Sequence, residues 1–192
     1  WKSAEPGLIF FDNINKYNVF AKARGGPLRA TNPCGEQSLY PYESCNLGSI
    51  NLANLVKRTA DGQYEFDWQR YEETIRKTTR FLDNVIDVNL YPIPEIDKAS
   101  KDSRRIGLGV MGVADLLYKL RISYNSKEGY DFQSKLAEAL TYYSMEESVE
   151  LAKNRSEFPL CSKTEYVEGK IPVAGYYEKP KEEHYYDWDA LI

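Results

Sequence analysis

Histidine is almost missing from this sequence: His184 is the single one in 192 residues. That excludes a histidine-rich metal centre and a histidine-dependent catalytic triad. Cysteine is scarce as well. Cys34, Cys45 and Cys161 are too few, and odd in number, for the disulfide framework of a secreted domain. There is no basic excess: 25 Lys and Arg stand against 29 Asp and Glu, a net charge of −4. Direct binding to a nucleic-acid backbone is therefore not expected, whereas a single nucleotide needs only a local cluster of donors. No apolar run approaches the roughly 18 residues of a membrane span, and there is no charged-then-apolar leader. The expectation is a cytoplasmic chain with no membrane contact. An initiator methionine is also absent. The opening at Trp1 reads as a cut inside a larger protein.

What is present is ordinary for one globular domain or a slice of a larger one, with 42% hydrophobic and 28% charged residues. The sixteen tyrosines are expected to serve packing. Leu8 to Phe11 reads as a short buried strand after Pro6-Gly7, and residues 12 to 30 as loop. Thr31 to Tyr42, with two prolines and a glycine, reads as a loop that is not simply solvated. Ser44 to Leu52 alternates Cys45, Leu47 and Ser49 against Asn46, Gly48 and Ile50, as a strand does.

Asp67 is a fair N-cap for a helix to Tyr91, with Trp68, Tyr71, Ile75, Leu82, Val85 and Ile86 on its apolar face; Tyr91-Pro92-Ile93-Pro94 ends it. Ile106 to Gly112 is apolar and glycine-rich, and Val113 to Leu120 looks helical. Ser126 to Arg155 supports a second long helix, burying Phe132, Leu136, Leu140, Tyr143, Val149 and Leu151. Ser156 to Ile192 reads as an irregular region. Strands mixed with long helices give an α/β class.

The segment Thr31-Asn32-Pro33-Cys34-Gly35-Glu36-Gln37 carries the chemistry. An amide, a thiol and a carboxylate occupy alternate positions, so an extended backbone would turn Asn32, Cys34 and Glu36 to one side. Cys45 follows eleven residues later, within reach of one hairpin-sized excursion. Free cysteines are commonly small buried hydrophobes, and the residues alone leave that reading open. A carboxylate so near a thiol works against a thiolate nucleophile. It does not hinder a thiol that gives and takes hydrogen atoms.

Asn-Pro-Cys-Gly-Glu (32–36), followed by Tyr-Glu-Ser-Cys-Asn-Leu-Gly-Ser-Ile-Asn-Leu (42–52), resembles the active-site finger loop of ribonucleotide reductase large subunits, most closely the adenosylcobalamin-dependent class II type. Asp102 to Gly112 with Ala114-Asp115-Leu116-Leu117, and the opening Glu5 to Asp12, also resemble that family. The resemblance covers residues 1–175 and leaves 176–192 as an unassigned irregular tail. It implies an α/β fold, part of the family's ten-stranded barrel with its finger loop buried between strands.

The activity it implies is reduction of a ribonucleotide to the 2′-deoxyribonucleotide by thiyl-radical chemistry. By the resemblance, Cys34 carries the radical that takes the 3′ hydrogen, Glu36 is general base on the 3′ hydroxyl, and Asn32 bonds the sugar. Cys45 is one of two thiols that end as a disulfide. The same resemblance implies adenosylcobalamin as cofactor, nucleotide effectors and a dithiol reductant such as thioredoxin. It also implies the remaining parts of the reductase, with the partner of Cys45 before Trp1 and the phosphate loop after Ile192, so that this piece is inactive alone. Cys161 reads as structural. The alternatives are a class I large subunit served by a separate radical-generating subunit, and a non-catalytic chain that complements another.

Overall fold

The structure is a computed structural model that describes residues 2–4 and 7–191. Trp1, Ile192 and the Glu5-Pro6 pair of the opening motif lie outside the described residues. Two short helices, α1 (Phe11–Lys16) and α2 (Ala21–Arg24), come first. They are followed by a small antiparallel hairpin of β1 (Ala30–Thr31) and β2 (Ser38–Leu39). Strand β3 (Asn46–Asn51) leads through a second hairpin, β4 (Val56–Arg58) and β5 (Tyr64–Phe66), into the long helix α3 (Trp68–Val88). Helix α4 (Pro94–Ser103) then delivers the chain to β6 (Ile106–Met111), which pairs in parallel with β3, and α5 (Val113–Leu120) follows directly. The 29-residue α6 (Lys127–Arg155) backs α3, and short 3-10 turns with α7 (Ala174–Glu178) complete the chain. This is an α/β architecture. Among the described residues it holds one parallel strand pair, not a closed barrel.

The two long helices form where the apolar period places them. Asp67 caps α3 by accepting from Arg70 N–H at 3.1 Å, and Ser126 caps α6 by accepting from Gly129 N–H at 3.0 Å. Helix α3 buries Tyr71, Ile75, Thr79, Leu82 and Ile86. Of these, Tyr71 and Ile75 belong to a core that also contains Ile50, Leu52, Leu55, Phe66, Leu116, Leu136 and Ala139. Gly48 lets α3 lie close on the sheet, since a Cβ there would already touch Leu82 Cδ1 at 3.4 Å. Tyrosine serves packing: buried Tyr71 donates to Leu136 C=O at 3.2 Å, and Tyr142 stacks on Tyr186 at 4.8 Å between ring centroids.

Several sequence expectations are corrected here. Leu8 and Phe10 are exposed, at 85% and 65%, because this apolar run finds no strand to pair with among the described residues. Residues 12 to 30 are not all loop, since α1 and α2 lie within them. The segment after Pro94 forms α4, which the periodicity missed. Pro94 opens that helix at its first turn, where its missing N–H costs nothing, and Lys98–Asp102 and Lys101–Asp97 pairs line its surface. Phe132, Leu140, Tyr143 and Val149 are only half-buried on α6; Ala139 and Tyr142 sit deeper.

The region after Arg155 is irregular but attached. Trp188 is buried at 3% exposure with Tyr142 and Ile171. Its indole N–H and the Tyr185 and Tyr186 amides all donate to Glu138 Oε1 on α6, at 3.2, 2.9 and 3.2 Å.

At the α4–β6 junction Arg104 adopts the left-handed conformation (φ 46°, ψ 48°). Its guanidinium donates to Asp83 Oδ1 at 2.8 Å, to Asp87 Oδ1 at 2.7 Å and to the Asp83 carbonyl at 3.1 Å. The start of β6 is thereby tied to α3.

Candidate active site

Asn32, Cys34 and Glu36 occupy the turn of the β1–β2 hairpin. The turn is closed across its base. Asn32 N–H donates to Gln37 C=O at 2.9 Å, Gln37 N–H donates back to Asn32 Oδ1 at 2.9 Å, and Gly35 N–H reaches Asn32 C=O at 3.1 Å. Gly35 sits at φ +84°, a conformation that glycine adopts without steric cost. The segment is a loop, as expected, but two details are corrected. The backbone is folded rather than extended, so alternate spacing does not by itself set the three side chains to one side. The tip is also exposed at Cys34 and Glu36, with Asn32 half-buried at the base. No strand or helix among the described residues stands over it, and a two-stranded hairpin cannot enclose its own turn.

Cys45 is half-buried immediately before β3. In β3 the even positions face the core and Leu47, Ser49 and Asn51 face outward, which puts Cys45 on the outward face. The opposing positions of β6 are Gly107 and Gly109, so that face is nearly bare backbone. A Cβ on Gly107 would fall 2.3 Å from Leu47 Cδ2 and 3.2 Å from Cys45 Sγ. Burial pushes the Cys45 thiol up to about 11, Arg105 pulls it down, and Glu36 raises it further. The carboxylate at the hairpin tip is thus close enough for its charge to be felt at the second sulfur.

The polypeptide between hairpin and strand is pinned by residues that sequence reasoning missed. Glu43, with its side chain fully enclosed, lies 2.7 Å from Arg24 Nη2 and 2.8 Å from Arg105 Nε. Its Oε2 accepts from Tyr40 N–H at 3.0 Å. Ser44 Oγ and Ser100 Oγ are 2.6 Å apart. The only signal in the sequence was Glu43 standing two residues before Cys45, and nothing local pointed to its distant arginines.

Cys161 is half-buried in a 3-10 turn and, with Arg105 and Tyr166, lines a cavity of about 390 Å³. Its thiol is pushed up, first by burial and then by Glu157. No group of three or more His, Cys, Asp or Glu side chains converges among the described residues. His184 is enclosed against Glu138 at 3.6 Å. No described helix is long and apolar enough to cross a membrane.

The arrangement is a βα unit of an α/β protein with one thiol on an exposed turn and a second at the entrance of a parallel strand pair. The chain belongs to the ribonucleotide reductase barrel-domain family, whose model matches residues 1–192. It is 49% identical over 159 residues to the vitamin B12-dependent ribonucleoside-diphosphate reductase of Thermoplasma acidophilum, covering 83% of this chain and 20% of that protein. It is 48% identical over 155 residues to the protein of the same name from Mycobacterium tuberculosis, covering 81% and 21%. The ribonucleoside-diphosphate reductase subunit alpha of Chlamydia pneumoniae is 40% identical over 177 residues, covering 90% and 16%. The chain spans about a fifth of the length of the relatives it matches first.

Proposed function

We propose that this chain is the finger-loop segment of a ribonucleotide reductase that reduces the 2′ carbon of a ribonucleotide by thiyl-radical chemistry. In that reading residues 1–175 belong to a ten-stranded α/β barrel whose other strands cover the hairpin tip, and 176–192 form a packing tail. The observation that supports the reading is the match of the whole chain to the reductase barrel-domain family, with Cys34 on the hairpin turn and Cys45 at the entrance of the β3–β6 pair against Gly107.

Cys34 Sγ, as a radical, takes the 3′ hydrogen and later returns a hydrogen atom. Glu36 accepts the proton of the 3′ hydroxyl, which eases loss of the 2′ hydroxyl as water; a base so used must come within about 3 Å of that proton's oxygen. Asn32 donates through its amide to the sugar while its Oδ1 holds the turn. Cys45 and a second cysteine supply two electrons and close to a disulfide, which a dithiol of the thioredoxin type reopens. Nucleotide effectors act on the whole protein, which we place in the cytoplasm, without direct nucleic-acid binding.

Similarity to two relatives named as vitamin B12-dependent supports adenosylcobalamin as the radical source. The subunit name of the Chlamydia relative favours, as a second reading, a class I protein with a separate radical-generating subunit. Deoxynucleotide formation in the intact protein, assayed with and without adenosylcobalamin, separates the two. The test of the site is Cys34→Ser beside Cys45→Ser. The first is expected to lose all turnover, the second to keep 3′ hydrogen abstraction and lose product. Substantial turnover by Cys34→Ser would refute the radical role.

A further inference from the structure

Cys45 stands one residue before β3 and Arg105 one residue before β6. The pairing Asn46↔Ile106 therefore sets them side by side at the entrance of the parallel pair, where Gly107 leaves bare backbone against the sulfur. Arg105 is not free to swing. Glu43 holds its Nε at 2.8 Å, and its guanidinium lies 4.4 Å from the Phe20 ring centroid. Glu43 is fixed in turn by Arg24, which reaches on to the Ala99 carbonyl at 3.1 Å. Two arginines converge on one carboxylate, and a single arginine would have neutralised it. The single charge of Glu43 is thus shared between two guanidinium groups, and what Arg105 keeps acts on the sulfur against the carboxylate of Glu36.

We infer that Arg105, clamped by Glu43, is a positioning residue for thiol–disulfide exchange at Cys45: it fixes the entrance of the strand pair and stabilises the thiolate released when a Cys45 disulfide is reduced. The inference rests on the proposed function, in which Cys45 ends each cycle bonded to a second cysteine. A thiolate of the dithiol reductant attacks the other sulfur, the S–S bond breaks, and its electron pair leaves on Cys45 Sγ, which then takes a proton. The reductant's second thiol closes the mixed disulfide, so two electrons pass to the cysteine pair. A sulfur leaves faster when its thiolate is stabilised. The charged groups around the sulfur are Arg105 at the β6 entrance, Glu36 on the hairpin, and Glu43 with Arg24 behind. Cys161 and Tyr166 line a cavity together with Arg105, and Asp83 and Asp87 are engaged by Arg104.

The test is the rate of Cys45 alkylation by iodoacetamide at pH 8.5 in the full chain, resolved by peptide mass spectrometry with far-UV circular dichroism as the check on folding. Only the thiolate reacts, so a neighbouring charge worth about one pH unit appears as a rate change of about tenfold. Arg105→Met is expected to slow Cys45 about tenfold, and Arg105→Lys, which keeps the charge, to recover most of the rate. Glu36→Gln, at an exposed position, is expected to speed it. A folded Arg105→Met chain with Cys45 reacting as fast as before overturns the inference. Should that variant not fold, a tenfold slowing in Arg105→Lys, which keeps the charge, does so. Failure of the reading beneath it shows elsewhere: Cys45→Ser protein that still makes deoxynucleotide sinks the reductant role and leaves the alkylation result standing.

Discussion

Gly129→Ala sets two physical effects against each other at the start of α6. Helix propensity alone favours alanine by about 1 kcal/mol. The site opposes it. An added Cβ would lie 2.3 Å from the Ser123 carbonyl oxygen and 2.9 Å from that of Tyr124. Both are backbone atoms, so no side chain can simply rotate away. The loop before the helix must move by about 1 Å, and overpacking of this kind costs roughly 1–3 kcal/mol. The same movement disturbs the cap, because Ser126 Oγ donates to Ser123 C=O at 2.7 Å while accepting from Gly129 N–H; such a cap contributes about 1 kcal/mol. The net expectation is a loss of about 2 kcal/mol. With a urea slope of about 2 kcal/mol/M for a chain of this size, the midpoint falls by about 1 M. Urea titration followed by far-UV circular dichroism measures it. Gly175→Ala is the control, since nothing stands within 4 Å of its added Cβ, and its midpoint is expected to stay or rise slightly. A Gly129→Ala midpoint at or above the wild-type value would show that the loop yields without cost and would refute the packing argument.

Cys34→Ser is expected to leave the unfolding free energy from urea titration within about 0.5 kcal/mol of wild type, because the position is exposed; a large loss would show that the thiol has a packing role. Trp188→Ala removes a buried indole and its bond to Glu138. The expected result is fast amide exchange confined to about residues 181–191 with α3 still protected, and unchanged exchange there would refute the anchoring role. Asp87 is held below its usual carboxyl value, first by the hydrogen bond from Arg104. A folded value below the unfolded one contributes stability that is present above about pH 4 and lost as pH falls below it. The urea-midpoint gap between wild type and Arg104→Met is therefore expected to be full at pH 6 and smaller at pH 3; a gap that widens in acid would reverse the sign. Residues 1–192 alone, given nucleotide, a dithiol and adenosylcobalamin, are expected to make no deoxynucleotide over multiple turnovers, and sustained product would refute the partial-site reading.

What was legible in the sequence was periodic or short-range. Helices α3 and α6 announce themselves because a 3.6-residue apolar repeat and an oxygen-bearing cap need only neighbours in sequence. Strand β3 was legible from its alternation, down to the shared face of Cys45 and Leu47. Helix α4 was not, because a polar helix with one isoleucine has no apolar stripe to read, and its surface ion pairs resemble ordinary solvated charge. Leu8 to Phe11 misled for the opposite reason: apolar content suggests a strand, but a strand exists only with a ladder partner, and Phe11 opens α1 instead. At the site, the alternation of Asn32, Cys34 and Glu36 assumed an extended backbone, and Pro33 with Gly35 made a turn instead. The clamp of Glu43 by Arg24 and Arg105 was beyond reach. It joins α2, the segment before β3 and the start of β6, and no local pattern encodes a meeting of three separated segments.

Arg104 is a position from which single mutations lead only downhill. Its left-handed backbone costs a residue with a Cβ about 1–2 kcal/mol, and glycine would remove that cost. Glycine would also abolish every bond to Asp83 and Asp87. Asparagine tolerates the backbone but cannot span to α3, and lysine spans but has no planar fork to serve two carboxylates and a carbonyl together. The backbone and the side chain thus ask for different residues, and arginine is the compromise. A stabilising path through this junction requires at least two coupled changes, one relaxing the turn and another rebuilding the tie to α3 from elsewhere. Libraries of single substitutions are expected to return the starting residue.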